Sequence, residues 1–132
     1  LLREDIYPMT KYSNSYASRS IIGKIRELNA RYALTLSDIA DILDVAPKTL
    51  TRWTKNINSS NQISKRKSDS LDVLESILKL GKEVLGSEDE LNNWLHNPVF
   101  ALDGKKPVDL IKTESGRRKV ETALHQIEYG IF

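Results

Sequence analysis

The sequence predicts an all-α protein. Apolar residues recur at three- and four-residue spacing through most of the chain, which is the periodicity of a helix packed on one side. No segment keeps the two-residue alternation of a half-buried strand, and capping residues and prolines stand where helices would start or stop. A chain of 132 residues can bury one modest core, or two small helical units that share one.

The first half of the chain predicts an arm and three helices. Residues 1–17 have little periodicity and predict a flexible N-terminal arm. The first apolar stripe consists of Ile21, Ile25, Leu28 and Tyr32. A second, short helix is expected after Thr35, which can cap it, and a third at Pro47, a residue suited to the first helical position. The polar stretch Lys55–Asp69 then predicts a loop.

The second half predicts a long helix followed by three shorter ones. The long helix carries Leu71, Leu74, Ile77, Leu78, Val84 and Leu85. These residues cover a wide arc, so we expect this helix to be buried on two sides by an interdomain or dimer contact. Ser87 and Glu90 form a capping box for the next helix, which Pro98 ends. Pro107 and Thr113 are expected to start the last two.

Composition excludes several classes of protein and divides the charge unevenly. The sequence has no cysteine, hence neither a disulfide nor a thiolate zinc site. No apolar run approaches the roughly 20 residues of a membrane helix, so we expect a cytoplasmic protein without membrane contact. Residues 1–68 hold 12 Lys and Arg against 6 Asp and Glu, whereas residues 69–132 hold 8 against 12. A basic half and an acidic half suggest different partners, although chance clustering of surface charge gives the same pattern.

Catalytic motifs are missing from the sequence. It contains no glycine-rich phosphate loop, no Gly-x-Ser-x-Gly elbow and no thiol nucleophile. Glu121, His125 and Glu128 share one helical face and could nominally ligate a metal, but only with donors from a second helix. We therefore expect neither an enzyme nor a cofactor or metal.

Residues 36–53 have the pattern of a helix-turn-helix. Ala40 is the small residue required where two helices cross, and apolar residues stand at the packing positions: Ile39, Leu43, Val45, Leu50 and Trp53. Asp44 stands where the turn usually has glycine, and aspartate tolerates the left-handed conformation better than most residues. The stretch resembles the Xre-type helix-turn-helix. A plain helical hairpin that packs a small core remains the alternative.

The predicted recognition helix, residues 47–55, is the candidate DNA reader. The candidate DNA-binding residues are Lys48, Thr49, Thr51, Arg52 and Lys55 on this helix, with Lys65, Arg66 and Lys67 from the polar loop. Arg52 is the best candidate for a bidentate contact to guanine, and the other basic residues can hold phosphates. Because specific operators usually require two half-sites, we expect a homodimer bound to operator DNA.

The last third of the chain carries a longer set of fixed positions. It reads Trp94-Leu95-His96-Asn97-Pro98, then Leu102–Ile111 with Asp-Gly and Lys-Pro inside it, Thr113–Gly116, and a closing Ile127–Phe132. This order and spacing resembles the toxin-binding domain of the Xre/MbcA/ParS antitoxins. The resemblance implies a domain that binds a partner toxin and often covers its active site. Those toxins are commonly RES-type enzymes that either consume NAD or transfer a group from it.

The resemblance also implies specific roles for residues in this region. Trp94 and Leu95 would anchor the core, and Gly116 would be a point of close approach. Gly116 inside a helix costs about 1 kcal/mol relative to alanine, which by itself suggests a packing reason. The candidate toxin-binding residues, expected to be exposed, are Arg117, Arg118, Glu121, Gln126, Tyr129, Gly130, Ile131 and Phe132. We expect Arg117, Tyr129 and Phe132 to be the anchors, since arginine and aromatic side chains dominate interfaces. The alternative is a tail that folds back on its own domain.

These observations predict three segments and a function. Residues 1–17 are the arm, residues 18–68 an Xre-like helix-turn-helix domain with its polar loop, and residues 69–132 a toxin-binding domain that also dimerises. The function implied is that of a type II antitoxin that occludes a RES-type toxin and represses its own operon. The alternative is a stand-alone helix-turn-helix transcriptional regulator whose C-terminal domain only dimerises.

Overall fold

The computed structural model describes residues 13–55 and 63–130. Its helices are α1 Ser13–Arg31, α2 Leu36–Leu43, α3 Pro47–Lys55, α4 Lys65–Leu85, α5 Glu88–Leu95, α6 Pro107–Leu110 and α7 Glu114–Glu128, with a 3₁₀ helix at Phe100–Leu102. Within these two ranges the only strand-like pairing is an isolated antiparallel bridge between Val99 and Lys105. The all-α class is therefore confirmed. No helix in the described ranges has the length and apolar character needed to cross a membrane.

Local hydrogen bonds start the helices where the sequence predicts them. The Thr35 hydroxyl accepts from the Asp38 N–H at 3.0 Å, while the Asp38 carboxylate accepts from the Thr35 N–H at 3.0 Å. Ser87 and Thr113 cap α5 and α7, each accepting an N–H three residues ahead, at 3.1 and 3.0 Å. Pro107 lies at the first turn of α6. Each cap satisfies an N–H that would otherwise have no partner at a helix start.

Two predicted boundaries differ from the structure. Helix α1 begins at Ser13, so residues 13–17 of the predicted arm are helical, and residues 1–12 lie outside the described residues. Helix α4 begins at Lys65 instead of after Asp69. The Ser64 hydroxyl caps α4 by accepting the Lys67 N–H at 3.3 Å. A polar first turn has no apolar periodicity, so the sequence pattern could not distinguish it from a loop.

Helix α4 is the centre of the fold. Leu71, Leu74, Ile77 and Leu78 are buried on it. It packs against α5 and α7 from the C-terminal region, and against α1 and α2 from the N-terminal region. The prediction that this helix is buried on two sides is confirmed, and the cause is contact between the two ends of the chain. One cluster of buried apolar residues extends from Ile21 to Leu124.

Candidate DNA-contact helix and partner-contact face

The turn between α2 and α3 is tight and left-handed, as the predicted helix-turn-helix requires. Asp44 adopts a left-handed conformation, with φ of 57° and ψ of 50°. The Val45 N–H donates to the Ala40 carbonyl at 3.0 Å, and the Ala40 side chain is buried where α2 meets its neighbours. Aspartate at the position usually held by glycine therefore still forms the tight turn.

Packing of α3 leaves its basic residues on the surface. Leu50 and Trp53 are buried against the core. Lys48, Arg52 and Lys55 are exposed, and they fall within a narrow arc because residues three and four apart share a helical face. Thr49 and Thr51 are half-buried. The predicted DNA-contact residues on this helix are thus brought together, with the three basic side chains reaching solvent.

Arg26 is a neighbour of this helix that sequence reasoning missed. Its guanidinium extends from α1 and donates to the carbonyl of Thr54, in the last turn of α3. The Thr54 hydroxyl in turn donates to the Thr51 carbonyl at 2.8 Å. Carbonyls at a helix C-terminus lack an intrahelical donor, so Arg26 supplies one and fixes α3 to α1. The contact joins residues 28 positions apart, which no local pattern reveals.

The three basic residues predicted in the polar loop lie on the first turn of α4. Lys65 forms an ion pair with Asp69 one turn later, with Nζ 3.1 Å from the carboxylate. Arg66 and Lys67 line a groove of about 690 Å³ that also borders Asp44 and the α7 residues Glu114 and Glu121. The structure therefore places Arg66 and Lys67 beside the helix-turn-helix turn and facing α7.

Gly116 occupies the tightest backbone contact of the C-terminal region. A Cβ atom at this position would lie 1.8 Å from the carbonyl oxygen of Leu110, far inside contact distance. It would also lie 2.9 Å from the Thr113 hydroxyl that caps α7. Only glycine permits this approach, so the expected packing reason is confirmed.

Arg117 is a correction to the sequence prediction. It was expected on the exposed face of α7, yet it is 8% exposed and its Nη1 donates to the Ile111 carbonyl at 2.9 Å. Burial lowers the pKa of Arg117, and the nearby carboxylate of Glu114 opposes that effect. The cause is helical register, since Arg117 shares the core-facing side of α7 with Val120 and Leu124.

The rest of the predicted partner-contact face has the expected exposure where it is described, except at Gln126. Arg118 and Glu121 are exposed, Gln126 is half-buried, and Tyr129 is 70% exposed. The Tyr129 ring stacks on His125, with centroids 6.0 Å apart. Gly130, with φ of 70°, follows the end of α7. Ile131 and Phe132 lie outside the described residues.

On α7, the three residues that could nominally ligate a metal are Glu121, His125 and Glu128. His125 Nδ1 lies 3.0 Å from the carboxylate of Glu128. Among the residues that the structure describes, no group of three or more His, Cys, Asp and Glu side chains is placed to hold a metal ion.

Lys112, between α6 and α7, connects the C-terminal region to the helix-turn-helix. Its Nζ lies 3.2 Å from the carboxylates of both Asp38 and Asp41 on α2. Burial raises the pKa of Asp38, but hydrogen bonds from Thr35 and Lys112 outweigh it and lower the pKa below its ordinary value. Burial lowers the pKa of Lys112, and its two carboxylate partners reverse this and raise it. Sequence reasoning did not identify this link between α2 and the α6–α7 turn.

Comparisons with known proteins match both the C-terminal region and the overall fold. Residues 80–130 match the family model of the antitoxin Xre/MbcA/ParS C-terminal toxin-binding domain. The mycobacterial cidal antitoxin MbcA of Mycobacterium tuberculosis (strain H37Rv) is 28% identical over 102 residues, which is 77% of this chain and 86% of MbcA. MbcA of Mycobacterium bovis matches to the same extent.

Two further matches involve a different antitoxin and a solved structure. The Prs ADP-ribosylating antitoxin of Sphingobium sp. (strain YBL2) is 45% identical over 42 residues, covering 32% of this chain and 26% of that protein. The crystal structure of the M. tuberculosis MbcT-MbcA toxin-antitoxin complex contains a chain that matches with a TM-score of 0.59 and 24% identity. This match covers 85% of our chain and 96% of that one, and it establishes likeness of fold. Residues 80–130 are therefore similar to the C-terminal toxin-binding domain of the Xre/MbcA/ParS antitoxins, which is the resemblance that the sequence predicted.

Proposed function

We propose that this protein is the antitoxin of a type II toxin-antitoxin system. It binds and occludes a cognate toxin of the RES type, one that consumes NAD or transfers ADP-ribose, and it represses its own operon. It acts in the cytoplasm, as a homodimer on operator DNA, and is not an enzyme. The observation that carries the proposal is the match of residues 80–130 to a toxin-binding domain.

The kind of toxin is supported by the relatives. MbcA is named as an antitoxin, and the crystal structure that matches this fold is that of the MbcT-MbcA toxin-antitoxin complex. The Prs antitoxin, similar over 42 residues, carries ADP-ribosylation in its name. In this chain, the exposed side of α7 with Arg118, Glu121 and Tyr129 is the surface on which we place the toxin.

DNA binding is supported by the geometry of α2 and α3. A left-handed turn at Asp44 and three solvent-exposed basic residues on α3 are what a recognition helix needs. A stand-alone transcriptional regulator would have the same features, so an operator-binding assay alone does not separate it from an antitoxin.

Growth rescue tests the antitoxin function directly. Cells express the neighbouring open reading frame together with either the full chain or a version that ends at Gln126. Rescue by the full chain alone supports an antitoxin that needs its C-terminal tail, and rescue by both places the toxin contact elsewhere on the domain. A toxic neighbour that neither version rescues, with both versions soluble, would favour the stand-alone regulator.

The operator function has its own test in Arg52→Ala. A good bidentate arginine–guanine contact contributes about 1–3 kcal/mol of discrimination, so we expect the preference for operator over random DNA to fall by about 5- to 160-fold. Binding measured from 50 to 200 mM salt is expected to weaken steeply because basic residues displace counterions from DNA. Arg118→Ala, an exposed arginine on α7, is the matched control and is expected to keep operator preference.

A further inference from the structure

Phe100 is the most exposed large apolar side chain of the described residues, at 98% exposure. The turn that carries it is closed by hydrogen bonds. The Val99 N–H donates to the Lys105 carbonyl at 3.1 Å, and the Gly104 N–H donates to the Val99 carbonyl at 2.9 Å. Leu102, two residues on, is buried and fixes the turn to the core. The ring is thus held in solvent by a well-bonded turn.

A groove of about 510 Å³ lies between this turn and α7. Its apolar lining comes from Leu102, Leu110 and Ala123. Three cationic side chains also line it, namely Lys105, Arg118 and Lys119, against one anionic residue, Asp103. The groove therefore combines an apolar floor with a net positive border. Single exposed apolar side chains are ordinary on proteins, but Phe100 directly precedes Ala101 and Leu102, which line this groove. An exposed aromatic residue adjoining such a groove in the chain has the anatomy of a contact site.

We propose that Phe100 and this groove form a docking surface for the cognate toxin, on which the Phe100 ring enters an apolar pocket rimmed by carboxylates. The inference rests on the proposed antitoxin function and names where the toxin binds. The surface lies within residues 80–130, and Arg118 and Gln126, two of the candidate toxin contacts, line the groove.

Charge argues for a toxin in preference to a second copy of this chain. A two-fold contact centred on the groove would bring the same patch from each copy together. Two identical net positive patches would then face each other, and like charges across an interface oppose association. An acidic partner surface would instead complement them.

Isothermal titration of the full chain with the purified product of the neighbouring open reading frame tests the proposal. Truncation of an interface anchor commonly costs about 2 kcal/mol or more, so Phe100→Ala is expected to raise the Kd by roughly 30-fold or more. Lys79→Ala is the control because Lys79 is exposed on α4 and does not line this groove. Circular dichroism checks that both variants fold like the wild type.

A charge reversal provides the second arm. Lys119→Glu is expected to slow association with the toxin by about tenfold at low salt, and this effect should shrink as salt is added. Lys79→Glu, on an exposed part of α4 that does not line this groove, is expected to leave the rate near that of the wild type.

The outcomes separate this surface from the antitoxin function itself. Wild-type protein that binds the toxin while Phe100→Ala binds equally well overturns the docking surface and leaves the antitoxin function standing. Wild-type protein that does not bind the toxin overturns both. Phe100→Ala that lowers self-association in sedimentation velocity, with an unchanged Kd for the toxin, assigns the face to a second copy and overturns the proposal.

Discussion

The turn between α6 and α7 and the turn between α2 and α3 differ in how strictly they restrict the sequence. At Gly116 a Cβ would overlap the Leu110 carbonyl oxygen, at 1.8 Å, so no other residue fits without a backbone shift. At the helix-turn-helix turn, Asp44 occupies a left-handed position with φ of 57° that commonly has glycine. The steric requirement at Gly116 admits only glycine, whereas the conformational preference at Asp44 admits aspartate as well as glycine.

Gly116→Ala is the strongest way to break this contrast. The added methyl would meet backbone atoms of α6, which cannot turn aside as a flexible side chain can. We expect the free energy of unfolding to fall by about 3 kcal/mol or more, at the upper end of single-substitution effects. Urea unfolding monitored by circular dichroism measures the change.

Gly23→Ala is the matched control for that substitution. Gly23 lies within α1, and nothing stands within 4 Å of a Cβ built at this position. Alanine in an exposed helix is favoured over glycine, so the variant is expected to gain about 0.5–1 kcal/mol. Equal losses at both positions would contradict the steric account of Gly116.

Arg117→Met is expected to have the next largest effect. Methionine retains an apolar stem for packing, but the variant leaves the Ile111 carbonyl without the donor that Arg117 supplies at 2.9 Å. An unsatisfied buried acceptor costs about 1–3 kcal/mol, which urea unfolding can resolve. Arg118→Met, on the exposed face one residue along, is expected to change stability by less than about 0.5 kcal/mol. If the two variants lose the same stability, Arg117 is not a structural residue of this turn.

Features with a local cause were predictable from the sequence. The caps at Thr35, Ser87 and Thr113 join residues three positions apart, so the pattern contains both partners. Gly116 was identifiable because glycine is costly inside a helix. The left-handed turn at Asp44 followed from its place between two apolar helices.

Features that depend on tertiary contacts were not predictable in the same way. The burial of Arg117 depends on which face of α7 meets α4, and an arginine gives no sign of facing inward. Arg26 and Thr54 are distant in sequence, and the extreme exposure of Phe100 depends on the closed turn around it. The early start of α4 was missed for a local reason instead, because the first turn that Ser64 caps has no apolar residue and so no apolar periodicity.

Lys112→Met tests whether α2 and the α6–α7 turn are energetically linked. The Lys112 ammonium lies 3.2 Å from both Asp38 and Asp41, and the three side chains are partly exposed to solvent. Ion pairs of this kind contribute about 1 kcal/mol or less, so the loss at neutral pH is expected to be the smallest of the series.

The pH dependence of that loss identifies its origin. The pKa of Asp38 is lowered from its ordinary 3.8, so the carboxylate stabilises the fold above that pH, and the contribution is lost as pH falls through the folded-state pKa. The raised pKa of Lys112 keeps the ammonium charged until pH rises beyond its ordinary 10.5. The stability difference between wild type and Lys112→Met should therefore be level near neutral pH and shrink in acid below pH 3.8. A difference that persists unchanged in acid would mean that the lysine stem, by packing, links α2 to the α6–α7 turn. A difference that disappears would assign the link to charge, through an ion pair that salt can weaken.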